Sequence, residues 1–216
     1  MDVRRAADRY AGGEPGAGIT TRHSFSFGPH YDPDNLGFGP LIACNEERLE
    51  PGAGFDEHPH RHVEIVTWVL EGALTHRDSG GRERTVRPGD LQHLSAASGV
   101  RHVERNDGPV PCRFLQMWLT PRAAADGPAY TLVRELGAGA YEVPEAGGVL
   151  RTYRLAAGDG VSLPDAGSRY LHLASGELRV GGETLAPGDA LRVTGGRNLT
   201  AEAAADAEFL AWEFTA

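Results

Sequence analysis

Short runs of apolar residues, rather than helical repeats, set the pattern of this chain. Residues 65–70 read IVTWVL, a β-branched and aromatic run that Glu71 and Gly72 close. Residues 113–119 read RFLQMWL, with apolar side chains on both parities, as in a strand covered on both faces. Further short strands are predicted at residues 170–173, 177–180 and 209–214. Only residues 3–10 hint at a helical period, so the pattern predicts an all-β protein.

An internal repeat indicates two related halves. Gly72-Ala73-Leu74 precedes a hairpin and then Pro88-Gly89-Asp90-Leu91. Gly176-Glu177-Leu178 precedes a shorter hairpin and then Pro187-Gly188-Asp189-Ala190. Both hairpins contain a Gly-Gly pair, which supplies the positive φ angles of tight turns. The repeat predicts two small β-barrels in tandem.

A change of composition marks the predicted boundary between the halves. Residues 121–141 contain PRAAADGP and the start of ELGAGAYEVPEAGG, which is typical of a linker. We predict an N-terminal barrel over residues 1–125 and a C-terminal barrel over residues 126–216. The aromatic residues of HSFSFGPHYDPDNLGFG, within residues 1–40, are expected to pack on a barrel.

Charge and composition limit the classes of partner that the chain is expected to bind. The net charge of −9 repels a phosphate backbone, so no direct nucleic-acid binding is expected. The candidate basic patch comprises Arg77, Arg82, Arg84 and Arg87, and acidic neighbours at 78, 83 and 90 favour a solvated hairpin face instead. No apolar run approaches the ~20 residues of a membrane span, and Cys44 and Cys112 indicate buried thiols rather than a disulfide. We therefore expect a cytoplasmic protein without a membrane partner.

Histidine spacing indicates a metal site. In a strand, His58, His60, His62 and Glu64 would face one side, and His102 and Glu104 repeat the i, i+2 spacing. Two such strands side by side would build a pocket of imidazole and carboxylate ligands with open coordination positions for substrate or dioxygen. These ligands suit Fe, Mn, Ni, Cu, Co or Zn. The remaining histidines are interpreted as surface or ordinary core residues: His23, His30, His76, His93 and His172.

The same segments resemble a known family. Gly52, His58-Pro59-His60, Glu64 and Gly72 look like the first cupin motif, and Gly99, His102 and Asn106 look like the end of the second. Within the cupins, HPHRHVEIVTWVLEGALTHRDSGG, RPGDLQHLSAASGVRHVERN and FLQMWL are similar to pirins and bacterial pirin-like quercetinases. The strong resemblance covers about residues 20–120. It implies two cupin barrels, of which the second is degenerate and without metal.

The resemblance also implies a ligand set. In pirins the metal carboxylate is the glutamate two residues after the last histidine, so the expected ligands are His58, His60, His102 and Glu104. Glu64 is then expected to be either an outer hydrogen-bond partner of the ligands or a residue that takes part in strand pairing. His62 departs from the family pattern, and its role stays open among an outer hydrogen-bond partner, a surface residue and an alternative ligand. The expected pocket walls are Phe25, Phe27, Phe38, Gln116 and Trp118.

The implied activity is a dioxygenase, favouring Fe(II), that opens the ring of a flavonol such as quercetin with O2. A metal-bound 3-hydroxyl loses its proton more easily, and Glu104 is the expected catalytic base, with Glu64 and His62 as outer candidates. The alternative role is non-enzymatic: a metal- and redox-dependent regulator that binds a protein partner. Failure to bleach the flavonol band would count against the enzyme.

Overall fold

The computed structural model describes residues 1–123 and 126–215, whose regular secondary structure is almost entirely strand. Three single turns of 3-10 helix cover Ala6–Asp8, Pro15–Ala17 and Pro144–Ala146, and no helix among the described residues is long and apolar enough to cross a membrane. The strands are, in chain order, β1 (Asp2–Arg4), β2 (Tyr10–Glu14), β3 (Ile19–His23), β4 (Leu41–Leu49), β5 (Gly54–His60), β6 (Glu64–Glu71), β7 (Leu74–Asp78), β8 (Glu83–Val86), β9 (Leu91–Ser95), β10 (Val100–Arg105), β11 (Cys112–Leu119), β12 (Ala129–Val133), β13 (Ala140–Val143), β14 (Gly148–Leu155), β15 (Gly160–Leu163), β16 (Ser168–Val180), β17 (Glu183–Leu185), β18 (Ala190–Thr194) and β19 (Leu199–Phe214).

Residues 9–136 form one compact unit, the N-terminal barrel unit. Its seven-stranded sheet has the order β12-β9-β6-β11-β4-β3-β2, and its four-stranded sheet has the order β5-β10-β7-β8. Apolar side chains, including Leu49, Val69, Leu74 and Phe114, fill one part of the interior. A second apolar cluster includes Ile65, and another part of the interior holds buried polar side chains and a cavity.

A row of buried polar residues crosses the seven-stranded sheet. Registered cross-strand neighbours are His23 on β3, Asn45 on β4, Gln116 on β11, Thr67 on β6 and Gln92 on β9. All five are buried. Because side chains alternate between the two faces of a sheet, one row of neighbours presents its polar groups on one face. This row therefore lines the interior of the unit with hydrogen-bonding groups.

Residues 1–8 and 137–216 form the second compact unit, the C-terminal barrel unit. Its strands follow the order β1-β18-β16-β19-β14-β13, and β15 and β17 pair with β19 and β16. The core comprises leucine, valine, alanine and phenylalanine side chains such as Leu171, Leu191 and Phe209. The strands predicted separately at 170–173 and 177–180 are one strand with bulges.

The helical hint at residues 3–10 was wrong. β1 pairs with β18 there, a single 3-10 turn follows, and β2 begins at Tyr10. Composition suggested a boundary after residue 125, but the compact units divide after Leu136. The reason is that β12 pairs with β9 and so belongs to the N-terminal barrel unit.

The predicted repeat has a structural basis at its first glycine. Gly72 has φ 70°, and a Cβ atom there would lie 2.4 Å from the carbonyl oxygen of Pro111. Gly176 has φ 85°, and a Cβ atom there would lie 2.0 Å from the carbonyl oxygen of Asp206. Both positions need glycine for the same two reasons, the left-handed backbone and the close carbonyl.

The aspartate that ends each Pro-Gly-Asp turn is a second shared feature. Asp90 accepts hydrogen bonds from the backbone amides of Arg87 and Glu135, each at 3.1 Å, and from the guanidinium of Arg134 at 2.5 Å. These donors hold the pKa of Asp90 below its usual value, against the opposing effect of burial.

Asp189 repeats this arrangement in the C-terminal barrel unit. It accepts hydrogen bonds from the backbone amides of Ala186 at 3.1 Å and Ala6 at 2.7 Å, and from the guanidinium of Arg5 at 2.9 Å. Arg5 follows β1 as Arg134 follows β12, so β1 and β12 are equivalent strands of the two copies.

Candidate metal centre

Strands β5 and β10 pair antiparallel and bring three imidazoles together. His58 is the register partner of His102, and His60 lies two residues further along the same face of β5. The ring centroids of His58 lie 4.8 Å from His60 and 4.4 Å from His102, and those of His60 and His102 are 4.9 Å apart. One nitrogen from each ring lies within 4.8 Å of the others, which is the spacing of a shared ion.

Unpaired nitrogens show that these rings fit a metal. His60 Nε2 and His102 Nε2 are buried and have no hydrogen-bond partner within the described part of the chain. Buried polar atoms normally have partners, so a cation would satisfy both. His58 Nδ1 lies 2.8 Å from the carbonyl oxygen of Asp56, which leaves Nε2 for the same ion.

The imidazoles of His60 and His102 are neutral, as metal ligation requires. Burial, assisted by the neighbouring His58, lowers the pKa of His60 to about 4. Burial also lowers the pKa of His102 to about 4, even though Glu104 acts to raise it. Both nitrogen lone pairs are therefore available at neutral pH.

Glu104 lies on the same face of β10 as His102 and is fully buried. Gln116 Nε2 donates to its Oε2 at 2.7 Å, and Gln92 Nε2 lies 3.4 Å from its Oε1. Burial alone would raise the pKa of Glu104, but His102, His76 and the Gln116 hydrogen bond together lower it. Glu104 is therefore a carboxylate beside the imidazoles.

His76 is a buried residue that the sequence interpretation missed. It lies on β7, the other neighbour of β10, as the register partner of Glu104. Its Nδ1 is 3.3 Å from His102 Nδ1, and its Nε2 is 3.6 Å from Asp78 Oδ2. His76, His102 and Glu104 form a second cluster with metal-ligand spacing, which overlaps the first at His102. Only the strand order places His76 here, and no motif in the sequence signals it.

His62 and Glu64 do not share a face with His58 and His60, so that prediction was wrong. β5 ends at His60, and His62 is exposed with φ 54° in the turn that follows. Glu64 is buried on β6, where its carboxylate lies 2.8 Å from His93 Nε2 and accepts a hydrogen bond from Ser95 at 2.9 Å. Glu64 therefore connects β6 to β9.

A cavity of about 390 Å³ adjoins the imidazoles. Of the predicted wall residues, Phe27, Gln116 and Trp118 line it. Phe25 is buried and Phe38 is half-buried, but neither is among the lining residues. Trp118 packs edge-on against Phe27 at 5.2 Å and against His60 at 4.9 Å between ring centroids. The volume lies within the range of about 300–1,000 Å³ for small-molecule sites.

Two small β-barrels, one of which gathers imidazoles and a buried carboxylate beside a cavity, define a cupin protein with a divalent-metal site. The sequence profile described as Pirin matches residues 4–119, more than half of the chain, and the profile described as Quercetinase C-terminal cupin domain matches residues 150–214. The chain belongs to the pirin family.

Relatives agree with this assignment. The chain is 41% identical over 237 residues to a Mycobacterium tuberculosis protein named "Putative quercetin 2,3-dioxygenase", covering 100% of this chain and 96% of that protein. It is 41% identical over 109 residues to the quercetin 2,3-dioxygenase of Escherichia coli K12, covering 50% and 47%. The crystal structure of the bacterial pirin YhhW from Escherichia coli in complex with nickel(II) matches with a TM-score of 0.91 at 27% identity, covering 99% and 98%.

Proposed function

We propose that this protein is a metal-dependent dioxygenase that opens the ring of a flavonol such as quercetin. The observation that carries the proposal is the cavity of about 390 Å³, which aromatic side chains line together with His58 and His60, two of the three convergent imidazoles. The names of the relatives in Mycobacterium tuberculosis and Escherichia coli support the same reaction class.

The proposed ligands are His58, His60, His102 and Glu104. The two buried, unpartnered Nε2 atoms support the imidazoles, and the position of Glu104 beside His102 on the cavity supports the carboxylate. A divalent ion held by these residues would supply Lewis-acid chemistry toward an enolate oxygen and O2. We propose Fe(II) as the native ion, because imidazole and carboxylate sites with open positions are typical of non-haem iron oxygenases.

The residues of the chain bind the substrate and move its proton. Phe27, Phe55 and Trp118 line the cavity with apolar surface against which a flat ring system packs. Glu104 is the proposed base, because it is a carboxylate that lines the cavity beside the imidazoles. Gln116 orients that carboxylate through its hydrogen bond.

Loss of the flavonol absorption band in air tests the proposal. Iron-loaded protein is expected to bleach quercetin, and His60→Ala is expected to abolish bleaching because it removes a ligand. His62→Ala is the matched control, because His62 is an exposed histidine in the turn after β5. If iron-loaded protein that retains its metal leaves the band intact, the dioxygenase proposal is wrong.

A further inference from the structure

A second group of polar side chains lines the same cavity, apart from the proposed ligands. It consists of Thr21 and His23 on β3 and Asn45 and Glu47 on β4. The ligand histidines belong to the four-stranded sheet, whereas these four residues belong to the seven-stranded sheet. They are here called the β3–β4 wall. Neither the metal chemistry nor the base proposed above uses them.

Glu47 is the most unusual member of the wall. It is 4% exposed, and its register partner Thr21 donates a hydrogen bond to Oε2. Burial raises the pKa of Glu47 to about 8, and the Thr21 hydrogen bond only partly offsets this effect. At neutral pH the group is therefore a neutral carboxylic acid, which both donates and accepts hydrogen bonds.

His23 and Asn45 extend this hydrogen-bonding surface. His23 Nδ1 lies 3.0 Å from Asn45 Oδ1, so Nδ1 carries the proton and Nε2 is left as an acceptor. Burial lowers the pKa of His23, which keeps the ring neutral. The ring stacks on Phe27 with centroids 4.8 Å apart, and it lies so close to Gly12 that a Cβ atom there would be 2.3 Å from Nε2. The ring is thus held between two fixed surfaces.

We propose that the β3–β4 wall is a second binding subsite, which hydrogen-bonds the phenolic hydroxyls at the end of an aromatic substrate remote from the metal. The inference rests on the proposed function for its substrate class and names the part of that substrate the wall recognises. A phenol hydroxyl is both donor and acceptor, as is the neutral carboxyl of Glu47, so the two groups are complementary. Buried polar groups that meet a hydroxyl discriminate strongly against an analogue that lacks it.

The subsite predicts selectivity among flavonols. Quercetin carries two hydroxyls on its pendant ring, and galangin has the same ring system without them. With the 3-hydroxyl at the metal and the pendant ring toward the β3–β4 wall, as the subsite requires, only quercetin presents hydroxyls to the wall. We expect metal-loaded protein to bind quercetin about tenfold more tightly than galangin, which corresponds to one well-made hydrogen bond.

Anaerobic titration of the metal-loaded protein, followed by quenching of tryptophan fluorescence, tests the subsite without turnover. Glu47→Leu is expected to weaken quercetin binding about tenfold and to leave galangin binding unchanged. Glu47→Gln, which still donates and accepts, is expected to retain most of the preference. Thr21→Val removes the hydroxyl that holds Glu47, and we expect a smaller loss for quercetin alone.

The outcomes separate the subsite from the reaction. Equal affinity of wild-type protein for the two flavonols, or equal weakening of both by Glu47→Leu, overturns the subsite, whether or not quercetin is bleached in air. A preference for quercetin that disappears in Glu47→Leu supports the subsite even if no bleaching occurs. If Glu47→Leu does not fold, the wild-type comparison and Thr21→Val decide.

Discussion

Gln116 Nε2 donates a hydrogen bond to Glu104 Oε2 at 2.7 Å, and this contact joins the two sheets of the N-terminal barrel unit at the metal centre. Trp118 Nε1 donates in turn to Gln116 Oε1 at 3.0 Å. On the other side, Tyr130 donates to Gln92 Oε1 at 3.1 Å, and Gln92 Nε2 lies 3.4 Å from Glu104. Two amides, each held by an aromatic donor, thus fix one carboxylate.

Removal of the hydrogen bond from Gln116, the shorter of the two amide contacts to Glu104, is expected to weaken metal binding. Gln116→Leu should lower the affinity for the metal about 10–100-fold, because the hydrogen bond that orients Glu104 is lost. Gln92→Leu is the matched comparison, and its longer contact predicts a smaller effect. Competition with a chelator of known affinity measures both. Wild-type affinity in Gln116→Leu would contradict the orienting role.

His76 distinguishes between the two overlapping clusters. If His58, His60, His102 and Glu104 hold the ion, His76→Phe should retain one equivalent of metal with at most a modest loss of affinity. The phenyl ring is larger than the imidazole that it replaces, but it keeps a flat ring beside Tyr130, whose centroid lies 4.8 Å from that of the His76 ring. Loss of the metal in His76→Phe, with the fold intact by circular dichroism, would move the ion to the second cluster.

The pKa of Glu47 predicts how stability depends on pH. The folded value is about 8 and the unfolded value about 4.3, so Glu47 releases its proton at lower pH when the chain is unfolded. Its stabilising contribution is present below pH ~4 and is lost as the pH rises to ~8, by about 1.4 kcal/mol per pH unit. Glu47→Gln removes this titration. The free energy of unfolding of Glu47→Gln minus that of the wild type should therefore increase from pH 5 to pH 8. Urea unfolding curves of both proteins measure this difference.

If the difference in the free energy of unfolding between Glu47→Gln and the wild type stays constant with pH, the prediction for Glu47 is wrong. The charged neighbours of Glu47 titrate in both proteins, so they cancel in the comparison. They are Glu104, which acts to raise the pKa of Glu47, together with Arg9, which lowers it, and Glu46, which raises it.

Asp90 and Asp189 predict equal effects in the two barrel units. Asp90→Ala leaves the backbone amides of Arg87 and Glu135 without their acceptor, and should lower the free energy of unfolding by about 1–3 kcal/mol. Asp189→Ala should have an effect of similar size through the amides of Ala186 and Ala6. Thermal unfolding measures both variants. If either variant unfolds with a free energy close to that of the wild type, the hydrogen bonds accepted by that aspartate are not needed for the stability of the turn.

Much of the fold could be predicted from the sequence because its signals are local. The strand at residues 65–70 and the glycine turns follow from residue type and alternation, and the repeated Pro-Gly-Asp turn indicated two related barrels. The bond from Arg5 to Asp189 could not be predicted in this way. It depends on β1 pairing with β18, at the far end of the chain.

The candidate metal centre and the cavity likewise contain some residues that local sequence signals predict and others that they do not. His58 and His60 on one strand, and His102 and Glu104 on another, are visible as i, i+2 pairs. His62 continued the alternation in the sequence, but the positive φ at His62 ends it. His76 and Glu47 carry no local signal, because their place in the interior depends on which strands neighbour β10 and β3.

Metal content tests the central claim most directly. Protein purified without a histidine tag, and analysed by inductively coupled plasma mass spectrometry, should hold one equivalent of a first-row divalent metal. His60→Ala should hold essentially none, and His62→Ala should match the wild type. A wild-type protein that binds no such metal after reconstitution, or a His60→Ala variant that retains a full equivalent at wild-type affinity, would contradict the account.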